Sequence, residues 1–162
     1  MIDKVELQSS TYALPPSRFE PGTPPIAEAV GLGAACQYLT TIGMDKIYEH
    51  EKALGKYLYE QLESVGGLQL YGPHPSKATR TGLVAFNCPT VHATDLSFFL
   101  DQEGVAVRTG HHCTQPLHAA LGAAGSLRAS LYFYNDKQDV DAFVVKLKET
   151  IAMFGALNDT GS

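Results

Sequence analysis

Val105-Ala106-Val107-Arg108-Thr109-Gly110-His111-His112-Cys113-Thr114-Gln115-Pro116-Leu117 changes character twice within thirteen residues. Its apolar start predicts a strand over 105–108 and its polar middle a loop over 109–115. Its proline-led end predicts a short helix over 116–121, because proline is favoured in a first helical turn. Just downstream, Leu127-Arg128-Ala129-Ser130-Leu131-Tyr132 alternates strictly. Leu127, Ala129 and Leu131 then share one face of a strand, and Arg128 points away from the core on the other.

Working outward, 68–71 and 82–87 are short apolar runs bounded by Gly, Pro and Asn, which predicts two more strands. Thr94 is expected to cap a helix ending at Gly104. Ile47, Leu54, Leu58, Leu62 and Val65 recur at spacings of three, four and seven, so one long amphipathic helix precedes the strands, closed by Gly66-Gly67. Another is expected over 24–39, with Thr23 as its N-cap and Pro24 in its first position. Val140, Phe143, Val144, Leu147, Ile151 and Phe154 form the stripe of a final helix behind an Asn135 or Asp136 cap. The fold class is therefore α/β, of the α+β kind: a small sheet flanked by helices. Residues 1–22 are expected to be an irregular arm left over from something larger, 23–157 a small domain, and 158–162 a frayed tail.

Composition narrows the function. Apolar residues make up 44% and charged residues 18% of the 162, the balance of a chain with a packed core. A net charge of -5 disfavours nucleic acid and anionic membrane as partners. No apolar run approaches the ~20 residues of a bilayer span, and Met1-Ile2-Asp3-Lys4-Val5-Glu6 has neither a signal peptide's apolar core nor a transit peptide's basic bias. Three scattered cysteines, Cys36, Cys88 and Cys113, are too few for a disulfide framework, so a reducing compartment is expected.

The polar loop is the candidate site. A thiol reacts as its thiolate, and Arg108, two histidines and a following helix are the kind of surroundings that favour one at Cys113. Two other readings of the same residues stay open. Cys113 is equally a small buried hydrophobe beside packed histidines. A zinc site from His111, His112, Cys113 and His118 is the weaker alternative, since adjacent ligands coordinate poorly together. Cys36, inside a helix, and Cys88, at a strand end, read as structural.

Arg108-Thr109-Gly110-His111-His112-Cys113 followed by Gln115-Pro116-Leu117 resembles the active-site cysteine loop of the bacterial and plastid iron–sulfur-assembly cysteine desulfurases of group II. Arg18-Phe19-Glu20-Pro21-Gly22-Thr23-Pro24, Gly31-Leu32-Gly33-Ala34-Ala35 and Leu127-Arg128-Ala129-Ser130 are similar to that family in the same order, so the likeness covers nearly the whole chain. It implies the C-terminal small domain of a fold-type-I, class-V-aminotransferase-like enzyme dependent on pyridoxal 5'-phosphate. The implied reaction takes sulfur from L-cysteine onto Cys113 as a persulfide and leaves alanine, with the sulfur passed to an acceptor protein of iron–sulfur assembly. Arg128 matches the arginine that grips the substrate carboxylate, and Arg108 a second active-site arginine whose alternative is a surface ion pair. Thr23 matches a threonine that reaches the cofactor phosphate of the neighbouring subunit in a homodimer, a role compatible with capping a helix. His111 and His112 belong to the motif, and the resemblance assigns neither of them a proton-transfer role.

One departure stands out. The family's cofactor-bearing lysine follows a histidine in a Ser-x-His-Lys segment, and the sequence holds no His-Lys pair. The aspartate expected at the pyridine nitrogen would also lie in a larger N-terminal part. The resemblance thus implies half an active site, in a fragment, a truncated product or a piece of a split enzyme, placed in the cytoplasm or plastid stroma. Two other functions stay open: a non-catalytic module that binds a desulfurase subunit or sulfur acceptor, and part of a lyase acting on selenocysteine.

Overall fold

The structure, a computed structural model, describes residues 1–159. The chain divides into two compact units, Met1–Met44 and the remainder from Asp45.

The first unit opens with a hairpin of β1 (Ile2–Val5) and β2 (Ser10–Tyr12), antiparallel with Val5 opposite Ser10, then a 3₁₀ turn at Ser17–Phe19 and helix α1 (Ile26–Ile42). The arm expected to be irregular is thus partly a hairpin. Its strands bury no residue, so they carry none of the inside–outside alternation that signals a strand. Helix α1 starts two residues later than predicted, and its N-cap is Pro25 with no side-chain cap bond, so Thr23 is not the cap. Its C-cap is Gly43, whose positive φ of 98° suits glycine, with its N–H donating to the Leu39 carbonyl.

The second unit is a four-stranded antiparallel sheet, ordered β3-β4-β6-β5 and flanked by helices. Its members are α2 (Met44–Val65), β3 (Gln69–Leu70), β4 (Leu83–Asn87), α3 (Ala93–Gln102), β5 (Arg108–Gly110), α4 (Gln115–Ala120), β6 (Ser126–Ser130) and α5 (Lys137–Asp159). The predicted stripes are the ones that bury. Leu58 and Leu62 of α2 and Val140 and Leu147 of α5 are fully buried against Val84, Phe86 and Leu127 of the sheet. Each such side chain contributes about 1.5–3 kcal/mol relative to exposure. Glycine closes α2 as expected, with Gly66 and Gly67 both at positive φ. Asp136 caps α5: its Oδ1 accepts from the N–H groups of Gln138 and Asp139, and Asp139 Oδ2 accepts from the Asp136 N–H in return. The helix continues through residues 158 and 159, expected to be frayed; the rest of that tail lies outside the described residues.

Three boundaries differ from expectation. His92, not Thr94, caps α3, its Nδ1 accepting from the Thr94 N–H. The strand predicted over 105–108 becomes Arg108–Gly110, because the Val105 N–H bonds back to the Leu100 carbonyl and finishes α3 instead of joining the sheet. β6 begins one residue early at Ser126 and ends at Ser130, and the Tyr132 N–H goes to the Asn135 side chain.

Candidate functional site

Strand β6 lies between β4 and β5, and in this register Arg108 of β5 stands directly opposite Arg128 of β6. Directly opposed residues share a face, so two guanidinium groups occupy neighbouring positions there. Like charges in that arrangement are destabilising unless an anion lies between them. Arg128 Nε donates to Ser130 Oγ at 3.1 Å, and among the described residues no carboxylate forms an ion pair with either arginine. Leu127 and Ala129, on the opposite face, are buried, so Arg128 points away from the core as its alternation predicted.

Beyond β5 the chain turns sharply at His111–Thr114. The Thr114 N–H and hydroxyl both donate to the His111 carbonyl, at 2.8 and 2.7 Å. The two central residues, His112 and Cys113, have φ of 51° and 61°. That sign pattern belongs to a type I′ turn, which ordinarily demands Asn or Gly. Each left-handed L-residue costs roughly 1–2 kcal/mol, so surrounding structure must hold the turn in place. Cys113 is exposed, which overturns its reading as a buried small hydrophobe. It opens onto a shallow cleft of about 420 Å³ lined by Arg108, Thr109, His111, His112, Gln115 and Pro116. A larger cleft of about 630 Å³, lined by Tyr71, Asn87, Cys88, His92 and the 122–125 loop, does not include it.

The histidines make a polar cluster beneath the turn. His118, 4% exposed, places Nε2 3.0 Å from Ser126 Oγ, with its Nδ1 3.1 Å from the Thr114 carbonyl. His112 Nε2 lies 3.1 Å from the Ser126 carbonyl and 3.2 Å from Ser126 Oγ, while its buried Nδ1 has no hydrogen-bond partner. Burial holds the His112 pKa below the usual imidazole value, helped by the charge of Arg128, against the pull of the Ser126 carbonyl bond. Among the described residues, no three His, Cys, Asp or Glu side chains gather as a metal site.

The second unit thus brings Cys113 and Arg108 into one cleft, with Arg128 across the ladder from Arg108. Thr23 belongs to the first unit, exposed, three residues before α1. Cys88 is buried as expected, whereas Cys36 on α1 is exposed. Sequence reading missed Ser126 because it lay one residue outside the predicted strand. Carrying the alternation back one step would have put it on the Arg128 face. No lysine lines the Cys113 cleft, so the residues here do not supply a covalent anchor for a cofactor ring.

An antiparallel sheet with helices around it, and an exposed cysteine on the turn that leaves its edge strand, defines a small mixed α/β domain. The chain belongs to the aminotransferase class-V family, whose profile matches residues 1–143. It is 48% identical over 154 residues to a probable cysteine desulfurase of Synechocystis sp., and 47% identical to one of Staphylococcus epidermidis. Each match covers 95% of this chain and 37% of the relative. The fold superposes on the Escherichia coli cysteine desulfurase CsdA with a TM-score of 0.81 at 31% identity, covering 94% of this chain and 37% of that one. A cysteine desulfurase of Thermococcus onnurineus gives 0.79 at 37% identity, covering 93% and 37%. The chain therefore spans little more than a third of the length of these relatives, and cysteine desulfurases of this family use pyridoxal 5'-phosphate.

Proposed function

We propose that this chain is the sulfur-accepting portion of a pyridoxal-phosphate-dependent cysteine desulfurase. The observation that carries the reading is an exposed thiol, held on a left-handed turn, in one cleft with Arg108, which faces Arg128 across the ladder, neither arginine being paired with a carboxylate among the described residues. Bound cofactor would serve as the electron sink that makes the substrate's carbon–sulfur bond cleavable. The Cys113 thiolate attacks the sulfur of L-cysteine, forming the S–S bond of a persulfide. The carbon–sulfur electrons return to the substrate carbon, which is protonated to give L-alanine. Arg128 grips the substrate carboxylate through its planar fork of donors, and Arg108 adds a second positive charge. The exposed turn then offers the persulfide to an acceptor protein, in this reading one of iron–sulfur cluster assembly. Thr23, with an exposed hydroxyl before α1, suits a phosphate contact across a homodimer, where helix N-termini favour anions. The lysine and the ring-facing carboxylate come from outside this chain. Three unpaired cysteines fit a reducing compartment, cytoplasm or plastid stroma.

The absence of a lysine from the cleft favours one second reading, a non-catalytic module that docks on a desulfurase or acceptor. A chimera decides between them: this chain joined to the N-terminal part of the Synechocystis relative, loaded with cofactor and given L-cysteine. Alanine release with one added sulfur on Cys113, lost in Cys113→Ser while cofactor binding persists, is the expected result. Turnover without sulfur on Cys113 would falsify the assignment. Parallel reactions with L-selenocysteine decide the chalcogen.

A further inference from the structure

The hydrogen-bond cluster under the turn has a fixed direction, which can be read from carbonyl groups alone. A carbonyl accepts and never donates. His112 Nε2 faces the Ser126 carbonyl at 3.1 Å, so it carries the hydrogen. His118 Nδ1 faces the Thr114 carbonyl at 3.1 Å, so it carries the hydrogen of that ring. The neighbouring Thr114 hydroxyl agrees: it is already committed to the His111 carbonyl at 2.7 Å and can only accept from His118. In a neutral ring the His118 Nε2 is then a bare lone pair, 3.0 Å from Ser126 Oγ, and must receive the Ser126 hydrogen. Ser126 Oγ in turn accepts from His112 Nε2 at 3.2 Å. The proton order runs one way, from His112 through Ser126 to His118 and on to the Thr114 carbonyl.

We propose that His118 is a positioning residue: by accepting the Ser126 hydroxyl hydrogen it keeps that hydroxyl from competing with the Ser126 carbonyl for His112 Nε2, and so secures the Nε2–H tautomer of His112 and the left-handed turn presenting Cys113. Ser126 is 1% exposed and His118 4%, so the hydrogen bond between them is shielded from bulk solvent. The His112 ring is pinned to β6 on the inner side of the turn, and Cys113, the next residue, is thereby left on the outer side. The uncompensated His112 Nδ1 is what this wiring leaves behind: a buried lone pair with no donor is costly, and the forced Nε2–H tautomer explains why it exists. Without an acceptor at position 118, the Ser126 hydrogen is free to turn toward His112 Nε2. The opposite tautomer is then allowed and the anchor of the turn loosens. The role of the turn rests on Cys113 being the sulfur acceptor; the wiring does not.

The test uses the intact chain labelled with ¹⁵N-histidine. Two-bond ¹H–¹⁵N spectra should show the Nε2–H form at His112 and the Nδ1–H form at His118. His118→Leu should shift His112 toward a tautomer-averaged pattern, although the two rings share no hydrogen bond. His118→Leu with Ser126→Ala should return His112 to Nε2–H, because no hydroxyl remains to donate to it. A merely structural histidine would not produce that reversal. In His118→Leu, alkylation of Cys113 by iodoacetamide should slow about three- to tenfold, the range expected for one lost hydrogen bond, with exposed Cys36 as the unchanged reference. His118→Gln, whose side-chain oxygen accepts in place of Nε2, should restore the rate. Either ring in the other tautomer in the native chain, an unmoved His112 in His118→Leu, or an unchanged or faster Cys113 rate overturns the proposal. The native spectrum alone decides the wiring should His118→Leu fail to fold. If the relay behaves as expected while the chimera puts no sulfur on Cys113, the sulfur-acceptor reading fails by itself.

Discussion

Arg128 offers five donors from a rigid plane, and its neighbour across the ladder is another arginine, so two positive charges face each other here with no ion-pair partner among the described residues, and the proposed carboxylate contact would offset their repulsion. Removing the fork should cost a charge-assisted bidentate contact of about 1.5–3 kcal/mol. In the desulfurase chimera, Arg128→Ala should therefore lower kcat/KM for L-cysteine by one to two decades, and Arg128→Lys should recover only part of it. Wild-type kinetics in both variants would remove Arg128 from the carboxylate role. The residues carrying this argument were legible beforehand because a short motif names them and strict alternation orients Arg128. The conformation of Cys113 was not. Positive φ is announced by Gly or Asn, and a His-Cys pair gives no such notice. Ser126 and His118 acquire their meaning from a contact between β6 and α4 that sequence spacing alone does not encode.

Helix α2 illustrates how an element can break a local rule for a tertiary reason. Gly55 sits in its interior, where replacing glycine by alanine ordinarily stabilises by about 0.5–1 kcal/mol. Here a Cβ would press into the Thr81 carbonyl, with the carbonyl carbon at 2.9 Å, and backbone cannot swing aside. Gly55→Ala should thus destabilise by about 1–2 kcal/mol in denaturant melts, the overpacking cost exceeding the propensity gain. At the head of α5, Asp136→Ala should cost about 1 kcal/mol and Asp136→Asn much less, since asparagine still accepts from the helix N–H groups. The hydrogen bonds from the Asn135 side chain and the Asp136 N–H hold the Asp139 carboxyl below its usual range. A depressed carboxylate pKa contributes stability that is present above the unfolded value, near 3.9, and is lost as pH falls through the folded one. Asp139→Asn should flatten the acid limb of a Tm-against-pH curve; an unchanged limb would dismiss the cap's electrostatic part. The amphipathic helices α2 and α5 were read nearly to the residue because period and burial agree. β5 was misplaced by three residues because Val105 and Val107 do pack on the core while their stretch belongs to the exit from α3.

At the scale of the molecule, α1 differs from every other long helix: its apolar residues lie all round it and none is buried. Val30 is 69% exposed, Leu32 66% and Ile26 61%. A helix apolar on all sides is the pattern of an enclosed element. The purified chain should therefore bind an apolar dye such as ANS at neutral pH more strongly than a typical folded monomer. Val30→Lys with Leu32→Lys should reduce the signal severalfold, and equal fluorescence in both would mean that α1 is covered in solution. The sheet of the second unit carries a different consequence. β6 is the hub that joins β4 to β5, and the side chains sealing the core come from α5, behind it in the chain. During synthesis the segment bearing Cys113 leaves the ribosome before the strand that anchors it and before the helix that closes the core. Until β6 has emerged, the only strand pairing open to the second unit, among the described residues, is β3 with β4, so Cys113 spends its first moments beside an unpaired strand.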